Sequence, residues 1–210
     1  MCIRDSTSIT ISFVASTTIM LLSFLMVVVA TYKSNTFQKS LIFLASCGYA
    51  FPGTILAVGV VVFVGWLNEI FYFHINYFIG GFIVLIFAYT LRFLAIGNGS
   101  IRSGIMRINP NLIDASRTMG RSFLTTMKKV ILPLTYTNIL VGGILVFVDI
   151  LKELPITLLL RPFNFETLAT YVYQYASDEM LEESSFAALI IVVAGLGPVI
   201  FFKQNNKKIF

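Results

Sequence analysis

Residues 114–133 read DASRTMGRSFLTTMKKVILP, and this basic, amphipathic stretch decides the fold because it lies between two apolar runs of membrane length. Its pattern is an acidic residue, two small residues, a glycine six positions after the acid, and a hydrophobic–x–Leu–Pro ending. The residues at these positions are Asp114, Ala115, Ser116, Gly120, Val130, Leu132 and Pro133. The stretch is therefore predicted to be a partly helical connection between two membrane spans.

The composition is that of a protein whose surface faces lipid. Hydrophobic residues make up 57% of the 210 residues, charged residues make up 12%, and the mean hydropathy is +0.87. A soluble domain carries roughly twice this charged fraction, so these polar residues could not cover a water-facing surface. The formal net charge of +5 does not indicate nucleic acid, because the basic residues cluster in short segments between apolar runs. An all-α, polytopic membrane protein is predicted.

Five apolar runs are long enough to cross a bilayer at about 20 residues per crossing. They cover residues 9–32, 41–66, 77–96, 133–151 and 186–202. The second run contains Pro52 and Gly53, which predict a kink. A sixth apolar patch, residues 154–160, is too short to cross and is predicted to be a re-entrant or interfacial piece. The expected architecture is about five transmembrane helices with one long connecting loop, residues 97–132.

The distribution of charge predicts the orientation of these spans. The loop at residues 33–39 and the tail at residues 203–210 are basic, and the loop at residues 97–132 has six Lys or Arg residues against Asp114 alone. These three regions alternate correctly to lie together on the cytoplasmic side. The other connections carry six acidic residues and Arg161, and are predicted to lie outside.

The first residues are not expected to belong to the fold. Residues 1–6, MCIRDS, resemble a translated sequencing-adapter scar. Five spans also place the visible N-terminus outside, which is unusual for a native start. We therefore expect residues 7–210 to be the C-terminal part of a longer protein that has at least one earlier span.

The connecting stretch contains signals for two short helices joined by a turn. Asn109 is predicted to cap a helix that begins at Pro110, and Ser122 to cap the next one. Gly120 is expected to adopt the left-handed conformation that ends the first helix. Four residues of this helix are predicted to share one face at helical spacing, namely Leu112, Ala115, Ser116 and Met119. The alternative is an ordinary basic loop attracted to anionic lipid.

Charged residues at the end of the fourth span allow two interpretations. Asp149, Lys152 and Glu153 lie three or four positions apart, and Lys152 is predicted to pair with Asp149. Pro155 then ends the helix. The group is either a self-neutralised helix end at the outer interface or a gate at the outer mouth.

Two other polar residues have ordinary explanations. Arg92 lies near the inner end of its predicted span, where snorkelling to the lipid headgroups explains it about as well as a functional role does. His74, the single histidine, is predicted to lie in an interfacial aromatic belt rather than to bind a metal.

No catalytic arrangement is recognisable in the sequence. It contains no GxxxxGK[ST] phosphate loop, so the chain is not expected to hydrolyse ATP itself. No nucleophile–base arrangement or paired carboxylates stand out, and neither a cofactor nor a metal site is predicted. Two cysteines give no disulfide framework, and Cys47 is predicted to be a packing residue. A non-catalytic subunit is expected.

The pattern in residues 114–133 resembles the cytoplasmic "EAA" loop of ABC-transporter permeases, which docks on the ATPase subunit. Asp114 stands where the motif usually has Glu, and Ser116 stands where it has a second Ala. The resemblance implies that the docking residues are Asp114, Ala115, Ser116, Met119, Gly120, Leu132 and Pro133. It also implies a multi-pass protein of the bacterial inner membrane.

A second stretch, KELPITLLLRPFNFETLAT at residues 152–170, resembles the C-terminal half of bacterial ferric-iron permeases of type I ABC importers. This resemblance implies alternating access, a cytoplasmic ATPase dimer, an iron-binding periplasmic protein and a second permease half, fused upstream or separate. Membrane lipid is the remaining partner. Thiamine, phosphonate and polyamine stay open as alternative cargoes. A different class, an intramembrane enzyme or lipid-binding protein, would need converging polar residues inside the spans, and the sequence shows few.

Overall fold

A computed structural model of the chain describes residues 2–32, 36–71 and 81–206. The described residues are almost entirely helical. The helices are α1 Cys2–Tyr32, α2 Thr36–Cys47, α3 Gly53–Phe71, α4 Phe82–Ile105, α5 Pro110–Thr118, α6 Phe123–Thr126, α7 Leu132–Leu151, α8 Pro155–Leu160, α9 Leu168–Ser177 and α10 Leu181–Asn206. A 3₁₀ turn, Gly48–Ala50, follows α2, and a π-helical turn, Met127–Ile131, joins α6 to α7.

The centre of the fold is a bundle of α1, α4 and α7, which pack against one another along most of their lengths. Their buried faces carry branched and small side chains, among them Ile19, Leu85 and Val146, each almost fully enclosed. Polar contacts also join the helices, since the Ser100 hydroxyl donates to the Asn138 carbonyl of α7 at 2.7 Å. A second, smaller apolar cluster, Leu168, Tyr171 and Ala187, joins α9 to α10.

Four helical stretches in the described residues are long and apolar enough to cross a membrane: Ser6–Thr31, Gly53–Ile70, Phe82–Ile105 and Phe123–Leu151. The predicted fifth span, residues 186–202, lies within α10. The all-α, polytopic class predicted from composition is therefore confirmed. His74 and the predicted start of the third span, Tyr77, lie outside the described residues.

The predicted second span is not one kinked helix. The 3₁₀ turn ends at Ala50, Phe51 is extended with φ −83° and ψ 140°, and α3 begins only at Gly53. Pro52 explains the break, because it forces the preceding residue out of the helical region and has no amide to donate. The 19 residues of α3 are long enough to span by themselves, so the prediction of a single helix over residues 41–66 is wrong.

The predicted loop at residues 97–132 is much shorter in the structure. Helix α4 continues to Ile105, and the helical stretch that contains α7 already begins at Phe123. Pro133 did not mark the start of that span, because a proline is tolerated in the first turn of α7, after the π-helical turn. The connection between spans is therefore limited to α5 and the turns on either side of it.

The short apolar patch at residues 154–160 forms α8, which is too short to cross, as predicted. It packs against α3 and α4, and Ile156 and Leu160 are fully buried. Beyond it, the Phe165 ring meets the Phe82 ring at the start of α4, with centroids 4.9 Å apart. This contact brings α8 and its following loop to the end of the bundle at which α4 begins.

Candidate functional site

Helix α5 is the centre of the connecting segment, and its start is capped as predicted. The Asn109 side-chain oxygen accepts a hydrogen bond from the Asn111 amide at 3.0 Å, and Pro110 is the first helical residue. The side chain thus satisfies an amide that has no partner within the helix.

The end of α5 depends on Gly120. Its φ is +71°, the left-handed value expected from the sequence. The Arg121 amide donates to the Ser116 carbonyl at 3.2 Å, which is the long hydrogen bond of a Schellman motif. Ser122 then caps α6 by accepting from the Thr125 amide at 3.4 Å. Two short helices are therefore joined by a defined turn.

The four side chains predicted to share one face of α5 have different environments. Ser116 is buried, and its hydroxyl lies 2.8 Å from that of Thr126 in α6. Leu112 is half exposed, Ala115 is exposed, and Met119 lies beyond the last helical residue with 74% of its surface exposed. The four positions therefore do not share one environment, because the Ser116 side chain is buried against α6 while the other three are exposed.

The exposed surface of this segment combines apolar and charged side chains. Met106, Leu112 and Met119 are large exposed apolar residues on or beside α5. Asp114 is exposed on the helix itself. Basic residues exposed on the neighbouring elements are Arg102, Arg107, Arg121, Lys128 and Lys129. Exposed methionine and leucine with a charged surround are typical of a protein-contact surface.

The last two predicted docking residues, Leu132 and Pro133, lie at the start of α7, after the π-helical turn. Both are exposed. Leu132 lines an apolar groove of about 600 Å³ between α1 and α7, together with Phe13 and Met20. The sequence motif therefore extends over two places in the fold, α5 and the beginning of α7.

The charged residues at the end of α7 form two separate pairs. Lys152 Nζ lies 2.6 Å from Asp149 Oδ1, so the predicted i,i+3 pair is present. This hydrogen bond raises the pKa of the Lys152 ammonium above its ordinary value. Glu153 faces the other way, toward α4, and is buried. Pro155 begins α8, so it starts a helix as well as following the end of α7.

Arg92 is largely buried and is paired within the fold. It lies near the middle of α4, and its Nη1 is 3.4 Å from Glu153 Oε1. Its predicted place near the inner end of the span is wrong, because α4 extends nine residues further than the apolar run, to Ile105. Its ion-pair partner comes from a distant part of the chain. Two further residues join this cluster, Tyr89 and Thr157, whose hydroxyls lie 2.6 Å apart. Neither had a sequence signal, since each is an ordinary residue of an apolar run.

No group of three or more His, Cys, Asp or Glu side chains is arranged to hold a metal ion in the described part of the chain.

Comparison with known proteins gives the family. A profile of the family described as "Binding-protein-dependent transport system inner membrane component" matches residues 20–206. The chain belongs to this family and is a multi-pass membrane protein of the inner membrane. The class predicted from the loop motif, a transport-system permease and not an enzyme, is confirmed.

Three curated relatives are similar at low identity. The "Fe(3+)-transport system permease protein FbpB 2" of Haemophilus influenzae is 25% identical over 157 residues, which are 74% of this chain and 29% of that protein. The "Spermidine/putrescine transport system permease protein PotC homolog" of Mycoplasma genitalium is 25% identical over 81% of this chain and 58% of its own length. PotC of Haemophilus influenzae is 23% identical over 61% of this chain and 50% of its own. The matched residues thus span between 29% and 58% of the length of these relatives.

Solved structures share the fold. A bacterial alginate ABC transporter in complex with an alginate pentasaccharide-bound periplasmic protein superposes with a TM-score of 0.72 at 18% identity, covering 98% of this chain and 78% of that one. An inward-facing form of the MetNI methionine ABC transporter gives a TM-score of 0.67 at 16% identity, covering 97% of this chain and 93% of the other. The predicted importer-permease fold is therefore confirmed.

Proposed function

We propose that the chain is a permease subunit, or part of one, of an ABC importer, and that α5 with its two flanking turns docks on a separate cytoplasmic ATPase. The geometry of α5 is the observation that carries the proposal. The helix is capped at both ends and tied to α6 through Ser116. Leu112 on the helix and Met119 directly after it remain exposed, so apolar side chains at a capped helix are available to a partner.

The same geometry provides a mechanical link to the membrane. Helix α6 continues through the π-helical turn into α7 without a break in the helical stretch Phe123–Leu151. A displacement of α5 by the ATPase would therefore be transmitted along a stiff helix into the α1–α4–α7 bundle. This supports alternating access driven by a pair of ATPases, with a second permease half completing the pathway.

We propose ferric iron as the cargo and a periplasmic iron-binding protein as the donor. The proposal is supported by residues 152–170, which resemble ferric-iron permeases, and by the similarity to the iron permease of Haemophilus influenzae. The periplasmic partner is also supported by the alginate transporter of similar fold, which was crystallised with a periplasmic protein.

A polyamine is the second candidate cargo. The two PotC relatives match at comparable identity, and one of them covers more of this chain than the iron permease does.

Uptake by a strain that carries the intact gene, compared with a deletion strain, tests the cargo. We expect deletion to abolish uptake of radiolabelled ferric iron presented with the periplasmic protein, and to leave spermidine and putrescine uptake unchanged. The opposite result would assign the transporter to polyamines. Retained uptake of both cargoes would contradict either assignment.

A further inference from the structure

Two breaks in the helices meet at one point of the fold, and a pair of opposite charges lies between them. The first break separates α2 from α3, and the second separates α7 from α8. Helix α4 packs against all four of these helices, and Arg92 lies near its middle. Glu153 lies in the α7–α8 turn, with its Oε1 3.4 Å from Arg92 Nη1.

The ion pair is largely buried, and hydrogen bonds connect the residues beside it. The Glu153 side chain is 8% exposed and that of Arg92 is 20% exposed. The Thr157 hydroxyl donates to the Glu153 backbone carbonyl at 2.6 Å, so its own oxygen accepts from the Tyr89 hydroxyl. This chain of hydrogen bonds ties the α7–α8 turn to α4 beside the ion pair. A buried charge of this kind is stable only while its partner is present.

The first residue of α3, Gly53, has no side chain and so leaves space for Arg92 and Glu153. A Cβ atom placed on Gly53 would collide with Arg92 Nη1 and lie 2.8 Å from Glu153 Oε1. Gly53 is the first residue of α3, where the helix dipole favours a nearby carboxylate. The glycine thus allows the amino end of α3 to approach both charged groups.

We propose that Arg92 and Glu153 are positioning residues whose ion pair fastens the start of α3 and the α7–α8 turn to α4. The two charges neutralise each other inside the fold. The pair therefore holds these three elements together and does not bind the cargo. The proposal does not depend on which cargo is carried. It makes the break at Pro52 a fixed corner instead of a free hinge.

Cys47 is a native reporter for this corner. It is the last residue of α2, directly before the 3₁₀ turn, and its half-buried thiol donates to the Phe43 carbonyl at 3.3 Å. The 3₁₀ turn that leads toward α3 begins at the next residue, so we expect release of the start of α3 to loosen the end of α2 and to expose the Cys47 thiol more often. The labelling rate of a partly protected thiol follows the population of the open form. The measurement is the rate at which a membrane-permeant maleimide labels Cys47 in native membranes, with Cys2 replaced by Ser.

Glu153→Gln and Gly53→Ala should each raise the labelling rate about tenfold, because one removes a charge and the other drives the guanidinium away from it. Gly59→Ala is the matched control, since it adds the same methyl group to α3 with nothing within 4 Å. It should label at the wild-type rate. Wild-type rates for both Glu153→Gln and Gly53→Ala would overturn the proposal, as would an equal rise in Gly59→Ala.

A double variant tests whether the two charges act together. Arg92→Gln combined with Glu153→Gln removes the pair and leaves no unpaired charge. Arg92→Gln alone is measured beside it. We expect the double variant to label faster than the wild type, because the pair is gone, but no faster than Arg92→Gln or Glu153→Gln alone, because replacing both partners costs less than removing one. Labelling faster than both single variants would mean that the residues act independently, and would overturn the proposal.

Discussion

Ser116 has a packing role that its position in the loop motif does not reveal. Thr126 donates its single hydroxyl hydrogen to the Ser122 carbonyl at 3.2 Å, so Ser116 is the donor in the Ser116–Thr126 pair. Loss of the Ser116 hydroxyl would therefore leave Thr126 with a partner. We therefore expect the small size of the side chain to matter more than its hydroxyl for packing α5 against α6. The loop motif also has a small residue at this position.

Ser116→Ala should lower the free energy of unfolding by about 1 kcal/mol or less and leave ATPase recovery unchanged. Ser116→Leu should cost about 1–3 kcal/mol, because its larger side chain must push α5 away from α6. Thermal unfolding and co-purification of the ATPase, measured on both variants, check this. Equal losses in the two variants would show that the hydroxyl, and not the space, is what the site needs.

Residue roles were predictable from sequence where the contact is local. Asn109, Gly120 and Ser122 act through backbone groups within a few residues, so their residue types were sufficient evidence. The role of Arg92 was not predictable, because its partner Glu153 lies 61 residues later in the chain, after the following membrane span. A buried ion pair between two distant apolar runs leaves no pattern in either of them.

At the scale of elements, hydropathy located the spans better than it located their ends. The apolar run at residues 41–66 continues through Phe51 and Pro52 without a charged residue, so composition alone could not separate α2 from α3. On either side of α5 the reverse occurs, because the helical residues extend past the ends of the apolar runs and include basic residues such as Arg102 and Lys128. Helix bounds there follow from tertiary contacts with the bundle, which the sequence does not show.

Helix α9 is joined to α1 by a buried hydrogen bond. The Leu168 amide donates to the Ser8 hydroxyl at 2.8 Å, at the start of α9. Ser8→Ala should reduce the free energy of unfolding by about 1–3 kcal/mol, because a buried amide loses its partner.

Thr10→Ala is the matched control for Ser8→Ala. Thr10 is exposed, and its hydroxyl donates to the Ser6 carbonyl of its own helix. Detergent-solubilised protein should therefore melt at the wild-type temperature when Thr10 is changed. An equal effect of both variants would mean that the Ser8–Leu168 contact does not stabilise α9.

At the scale of the whole molecule, the fold has two distinct ends. One end contains α5 and its basic surround, where α4 finishes at Ile105. The other end brings Phe82 against Phe165, and Thr7 donates to the Glu166 carbonyl at 3.2 Å nearby. The predicted difference in charge between the two sides matches this polarity, so the positive end is expected in the cytoplasm.

Accessibility of introduced thiols checks this orientation. Single cysteines in place of Asn111 and Asn205, in protein without Cys2 and Cys47, should be shielded from an impermeant thiol reagent in intact cells. A cysteine in place of Glu182 should be labelled. Labelling at Asn111 from outside would reverse the orientation and remove α5 from the reach of a cytoplasmic ATPase.

The most direct test of the docking role is ATPase recovery with Gly120→Val, measured with transport in the same membranes. The added side chain meets no neighbour, so its effect comes from φ +71°, where a β-branched residue is strained by about 1–2 kcal/mol. Gly120→Asn is the control, because asparagine tolerates this conformation. We predict normal membrane levels for both variants. For Gly120→Val we expect ATPase association weakened roughly tenfold and uptake lost, and for Gly120→Asn near-normal values of both. Full ATPase recovery and full uptake with Val would contradict the docking role and make the segment an ordinary linker.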